Sequence, residues 1–211
     1  MDSLKRILTE IKEELTQKEK VREQTQRDVR KITSNSKQAI LLIHQKRPRE
    51  ARKLIDKARQ LISKTNNTAI TYQEIIYSGS FSAALQEYSE ANIFLRLVEE
   101  SKFITPKEIN VPSIDYVLGL ADVIGECRRL ALDALRNGDV KKGEQCLQTM
   151  DEIYIELTAL DEAYMLIPGL RRKCDVARKI IEITRGDITQ EVRRNMLEKH
   201  LERFERRRKK T

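Results

Sequence analysis

Two pairs of carboxylates stand out in a chain whose formal net charge is +8. Glu87 and Glu90 lie in LQEYSEANIFLRLV, residues 85–98, and Asp122 and Glu126 lie in LGLADVIGEC, residues 118–127. At about 3.6 residues per turn, the i,i+3 pair projects within about 60° and the i,i+4 pair within about 40°, so each pair shares one helix face. Like charges at these spacings cost an isolated helix about 0.2–0.5 kcal/mol, so nothing local favours them. Their neighbours are apolar: Ala84, Ala91, Ile93 and Phe94 around the first pair, Leu118, Ala121, Val123 and Ile124 around the second. Carboxylates on the margin of such a face must be solvated, paired with a cationic side chain or bound to a cation. Arg96, Arg128 and Arg129 are the nearby cationic side chains. Four oxygen ligands without a histidine suit Mg²⁺ or Mn²⁺ and fit zinc or copper poorly. A di-iron bundle calls for Glu-x-x-His, but the residue three beyond Glu126 is Arg129.

Other chemistries find little support. The seven glycines form neither a G-x-x-x-x-G-K nor a G-x-G-x-x-G loop, so nucleotide binding of those types is not indicated. His44 and His200 sit in basic helical segments far in sequence from the acidic pairs, where surface or half-buried roles are expected. Cys127, Cys146 and Cys174 have no paired spacing and no accompanying His and Asp or Asn, and read as reduced core thiols of a cytoplasmic protein. No segment resembles a secretory leader or approaches the roughly 18 apolar residues that span a bilayer, so no membrane partner is expected.

The elements that must position the carboxylates are helical. Few Gly and Pro and a 35% charged composition describe an all-α chain, and the length suits a single domain over residues 1–211. Ser3 to about Gln45 reads as one helix with an almost wholly polar stretch at 16–28, as expected of a helix that projects beyond a core or lies along a partner. Pro48 opens a second helix that NNT at 66–68 should end. A third runs from about Ala69 to Ser101, bent around Gly79. Pro106 and Pro112 bracket a connection to a fourth, which stops at Asn137-Gly138. A fifth extends from Asp139 towards Pro168, a sixth from Pro168 to Thr184 and a seventh from Ile188 into RRRKK, with 205–211 a mobile basic tail. The third and fourth, joined by a short loop, should pack side by side and bring their acidic pairs together.

Charge is segregated along this bundle. Lys18 to Lys64 holds 15 basic against 5 acidic residues, Tyr72 to Tyr164 holds 8 against 17, and Arg171 onward holds 15 against 7. Two basic arms around an acidic middle point to a polyanionic partner. Arg22, Arg27, Arg30 and Lys31 on the first helix, and Lys46, Arg47, Arg49, Arg52 and Lys53 at the start of the second, are the expected phosphate contacts.

Taken together, EYSEANIF at 87–94, SIDYVLGLADVIGECRRLALDALRNGD at 113–139 and TRGDI at 184–188 resemble the translin family, in which translin pairs with translin-associated factor X (TRAX). The resemblance implies an all-α subunit of seven helices that assembles into a closed octameric shell and binds RNA and single-stranded DNA. The E-x-x-E and A-D-x-x-G-E patterns are TRAX-like, which implies an Mg²⁺-dependent endoribonuclease with Glu87, Glu90, Asp122 and Glu126 at its centre. A short connection at 102–112 and a short N-terminus depart from TRAX and suit self-assembly, a translin-like partner chain being the alternative. Metal-assisted hydrolysis of a phosphodiester, preferably in single-stranded RNA, is the expected reaction. One of the four carboxylates acting as general base is the alternative to ligation. The competing expectations are a non-catalytic RNA or single-stranded-DNA binder and a helical protein-binding scaffold.

Overall fold

In the computed structural model, which describes residues 2–69, 72 and 79–208, the chain is helical and no strand occurs among those residues. The α-helices are α1 (Asp2–His44), α2 (Pro48–Ala69), α3 (Gly79–Glu100), α4 (Pro106–Ile109), α5 (Ser113–Arg136), α6 (Val140–Thr158) and α7 (Leu170–Arg208), with a 3₁₀ turn at Asp161–Leu166. The all-α expectation holds, and seven α-helices are present among the described residues, but the set differs from the expected one. The expected sixth and seventh helices are a single 39-residue α7 that passes through Gly186, and the one-turn α4 is additional. Asn66, Asn67 and Thr68 do not end α2, which continues to Ala69. The expected beginning of the third helix falls largely on residues 70, 71 and 73–78, outside the described residues, as does the end of the basic tail at 209–211.

Helix boundaries follow local chemistry. Lys46, in the left-handed region at φ 59°, ends α1 with Lys46 N–H donating to the Ile43 carbonyl and Arg47 N–H to that of Leu42, and Pro48 then opens α2. Thr105 and Glu108 form a reciprocal cap on α4, where Pro106 occupies the first turn. Asn137-Gly138-Asp139 reverses the chain as expected. Gly138 takes φ 77°, Asp139 N–H reaches the Ala134 carbonyl, and the Asp139 carboxylate caps α6 by accepting from Lys142 N–H at 2.9 Å.

The chain groups into two compact units, Met1–Gly119 and Leu120–Thr211, with the border inside α5. In the first unit α1 and α2 pack against each other and against α3. Ile32, Ala39 and Ile43 of α1 and Ala51, Ile55, Ala58 and Ile62 of α2 enclose Phe81, Tyr88, Ile93 and Phe94 of α3. Every residue from Tyr88 to Leu95 is buried, so this part of α3 has no solvent face. Asp28, itself buried in α1, accepts from Lys64 of α2 at 2.9 Å and from Gln24 at 2.8 Å. Burial pushes its carboxyl up, but these partners outweigh burial and hold it below the usual range. By contrast Leu4, Leu8, Ile11 and Leu15 are exposed, so the core of this unit begins near Thr25 and the N-terminal third of α1 runs beyond it. In the second unit Val123, Ile124 and Cys127 of α5, Met150, Ile153 and Leu157 of α6, and Leu170, Ala177 and Ile181 of α7 supply the core.

Helices α5 and α3 approach closely at Gly119, where a Cβ would lie 2.6 Å from the Gln86 carbonyl oxygen and 2.8 Å from Ser89 Cβ. Gly186 has nothing within 4 Å of its Cβ position. Gly119→Ala is therefore expected to lower stability by about 1–3 kcal/mol through overpacking, whereas Gly186→Ala should raise it by about 1 kcal/mol through helix propensity. Urea unfolding of the two variants checks both signs.

Candidate functional site

The first acidic pair sits on the enclosed stretch of α3. Glu90 is buried at 8% exposure, with Ser89 and Asn92 beside it satisfied within the helix by the Leu85 and Tyr88 carbonyls. Glu87, one turn earlier, reaches the unit surface, where its carboxylate lies 3.2 Å from Lys37 Nζ of α1. One turn beyond Glu90, Phe94 packs against the His44 ring with centroids 4.9 Å apart. A histidine distant in sequence thus stands within a helical turn of the acidic pair. Leaving an ionised carboxylate buried and alone would cost several kcal/mol, and Glu90 does retain an interaction partner in the fold.

A further carboxylate, which sequence patterning did not single out, lies across from α3. Asp115, buried in the first turn of α5, accepts from Ser82 Oγ at 2.5 Å, and Ser82 in turn accepts from Gln86 Nε2 at 3.3 Å. Together with Gly119, one turn later on α5, this contact fixes the register of α5 on the Ser82–Glu90 face of α3. Burial raises the Asp115 carboxyl above its ordinary value, against the opposing hydrogen bonds from Ser82 and Gln86.

The second pair belongs to the second unit. Asp122 is half-buried and accepts from Lys173 Nζ of α7 at 2.6 Å and 2.5 Å on its two oxygens. Glu126, also half-buried, keeps a partner of its own. Of the arginines adjacent in sequence, Arg96 engages Glu100 and Glu108, and Arg128 engages Thr184 and Asp187. The cations found on Glu87 and Asp122 are instead Lys37 and Lys173, which no spacing rule links to the acidic segments. Among the described residues no three His, Cys, Asp or Glu side chains gather to hold a metal ion. A hard cation such as Mg²⁺ is commonly held by one or two carboxylates, with water and phosphate oxygens completing its shell, and each pair supplies that donor set.

All nine expected phosphate contacts are exposed: Arg22, Arg27, Arg30 and Lys31 on α1, Lys46 and Arg47 in the connection, and Arg49, Arg52 and Lys53 on α2. They are not equally available. Arg47 is clamped by Glu50 through two bonds of 2.7 Å and 2.6 Å, and Arg52 lies 2.5 Å from Glu99. Arg22 and Arg27 meet acidic neighbours only at 3.8 Å and 3.9 Å. Arg30, Lys31, Lys46, Arg49 and Lys53 make no ion pair among the described residues. All three cysteines are free and buried, and burial pushes the Cys127 thiol up to about 12, so they behave as inert core.

Residues 20–183 match the Translin family. The chain belongs to the Translin family. An uncharacterized protein of Methanocaldococcus jannaschii is 33% identical over 193 residues, covering 90% of this chain and 85% of that protein. AfC3PO, solved as a complex with duplex RNA, shares 32% identity at a TM-score of 0.79, with 90% of this chain and 98% of that chain covered. A second AfC3PO structure gives 0.80 over the same coverage. The apo form of NeC3PO, at 22% identity and a TM-score of 0.78 over 87% of this chain and 96% of that one, shows the same fold. Like these relatives this Translin-family chain is helical, and no helix among its described residues is long and apolar enough to cross a membrane.

The raised Asp115 carboxyl carries a sign. Its contribution to stability is fully present below the unfolded-state pKa of about 3.9 and is lost as pH rises through the folded value. Wild type should therefore lose stability relative to Asp115→Asn as pH increases across that window, measured by denaturant unfolding at fixed ionic strength.

Proposed function

We propose that this chain is an RNA-binding, Mg²⁺-dependent endoribonuclease of the TRAX type, acting as a homo-oligomer in the cytoplasm. The observation that carries the reading is the buried Glu90 with Glu87 one turn away on a helix enclosed by apolar side chains, a placement that local stability does not favour. Its counterpart is Asp122 with Glu126 on α5. The 32% identity to AfC3PO, a protein solved with duplex RNA, supports RNA as the polyanion.

In this proposal Glu87 with Glu90, and Asp122 with Glu126, each hold Mg²⁺ or Mn²⁺, with water and phosphate oxygens completing the shell. When bound, the ion neutralises a phosphate and lowers the pKa of its water. The chain's own contributions are distinct. Arg30, Lys31, Lys46, Arg49 and Lys53 hold RNA phosphates without reading sequence, so single strands and duplexes both engage, and single-stranded DNA binds by the same contacts. Lys37 and Lys173 neutralise Glu87 and Asp122 until a phosphate and its counter-ion compete for them. Those two ion pairs also favour a second reading, in which the acidic pairs are structural and the protein binds RNA without cleaving it.

Labelled single-stranded and duplex RNA of one sequence, incubated with and without Mg²⁺, separates the readings. Substituting Glu87, Glu90 and Asp122 together by Ala should reduce cleavage by about 100-fold or more while RNA retention survives. Cleavage that persists in this variant, or that needs no divalent ion, removes the catalytic assignment, and wild-type retention without cleavage leaves the binding-only reading. Products should carry 5′-phosphates, because water attack leaves the 2′-OH unused; 2′,3′-cyclic phosphates would contradict it. Binding should weaken steeply with salt, and Arg49→Ala with Lys53→Ala should reduce the log–log salt slope by about 2, read from titrations at several salt concentrations.

A further inference from the structure

The second unit contains a cleft between α5 and α7 of about 450 Å³, within the range of small-ligand sites. Its accessible walls are apolar, formed by Gly125 of α5 and by Val176 and Ile180 of α7 with Ile124 buried behind them, and one end is polar, formed by Asp122, Arg172 and Lys173.

Gly125 lines this cleft from the interior of α5. A glycine there weakens a helix, and tight packing explains two others: a Cβ on Gly119 would collide with the α3 backbone, and one on Gly143 would lie 2.9 Å from Leu135 Cδ2. At Gly125 a Cβ would meet nothing within 4 Å. No neighbour requires the glycine, and its effect is to leave the cleft unfilled.

The polar end is suited to an anion. Gly169, at φ 91°, leads into α7, whose first turn carries Arg172 and Lys173, so the positive end of a 39-residue helix adds to two cationic side chains. Lys173 is engaged by Asp122, while Arg172 is exposed and makes no ion pair among the described residues. The cleft therefore offers a net positive end beside an apolar wall.

We propose that this cleft is a mononucleotide subsite. One nucleobase lies over Gly125 against the Val176–Ile180 wall, and its phosphate meets Arg172, Lys173 and the positive end of α7. The proposal rests on the RNA-binding reading and specifies what the second unit grips: a single nucleotide unstacked from its strand. Aliphatic contact with a ring face works through apolar burial and reads no hydrogen-bonding edge, so the subsite selects an unpaired nucleotide and not a sequence. A phosphate at Lys173 competes with Asp122 for the same ammonium, so occupancy of the subsite releases the Asp122 carboxylate.

The test is titration of the full-length protein, in metal-free buffer with chelator, with adenosine 5′-monophosphate and with ribose 5-phosphate as the base-free probe, followed by calorimetry or amide chemical shifts. One adenosine monophosphate per chain should bind, with ribose 5-phosphate weaker by about 10-fold through the lost apolar burial of the base. Gly125→Leu, which fills open space, should weaken the nucleotide by a similar factor without lowering the melting temperature. Val176→Glu, at an exposed position, should do the same by repelling the phosphate. Arg172→Ala should weaken both probes. Absence of nucleotide binding, equal binding of the two probes, or full nucleotide affinity in a folded Gly125→Leu or Val176→Glu protein overturns the proposal. Oligoribonucleotide retention at low salt, measured on the same samples, reports on the α1–α2 face. Retention without a nucleotide site sinks the subsite alone, and loss of retention in the wild type sinks the RNA reading beneath it.

Discussion

The enclosure of α3 governs the first unit. Eight successive residues from Tyr88 to Leu95 are buried, so whatever the sequence places there must be satisfied inside the fold. Ser89 and Asn92 meet that demand with backbone carbonyls of the preceding turn. An ionised carboxylate only accepts, so Glu90 cannot be satisfied by a carbonyl in the same way, and it keeps an interaction partner of its own. Glu87 emerges where Lys37 can reach it, His44 packs one turn away on Phe94, and Asp115 approaches from α5 on a hydroxyl bridge to Ser82. A hydrophobic residue at position 90 would satisfy the packing more simply.

The second unit handles its acidic pair differently. Asp122 and Glu126 are half-buried on α5, and α7 supplies the counter-charge to Asp122 from its opening turn. Further along, Arg128 reaches Thr184 and Asp187, so the two helices are tied at both polar positions and leave the apolar cleft between them. Polar contacts between the two helices thus flank a cleft that close packing alone would fill.

Much of this was legible in the residues. Pro48 and Asn137-Gly138-Asp139 mark helix boundaries because each carries a local conformational instruction, whereas the capped turn opened by Thr105-Pro106 falls in a stretch that reads only as a connection. Gly186 misled for the opposite reason: its cost is about 1 kcal/mol, and Thr184 and Ile188, buried on either side of it, outweigh that by packing. The exposed basic face of α1 and α2 was readable from spacing. Lys37 and Lys173 were not, because a cation that reaches a carboxylate from another helix leaves no periodic trace, and Asp115 was hidden by looking like an ordinary first-turn acid. The Leu4–Leu15 stripe was legible as helix, but its exposure depends on where the core ends, which periodicity does not encode.

The lysine partners of Glu87 and Asp122 bear on how the polypeptide reaches its native state. Each of these carboxylates finds an ammonium counter-ion within its own chain, so collapse on the ribosome need not wait for a metal supply. A zinc finger unravels when its ion is stripped away; these two carboxylates are neutralised from within the chain and do not depend on an ion for that.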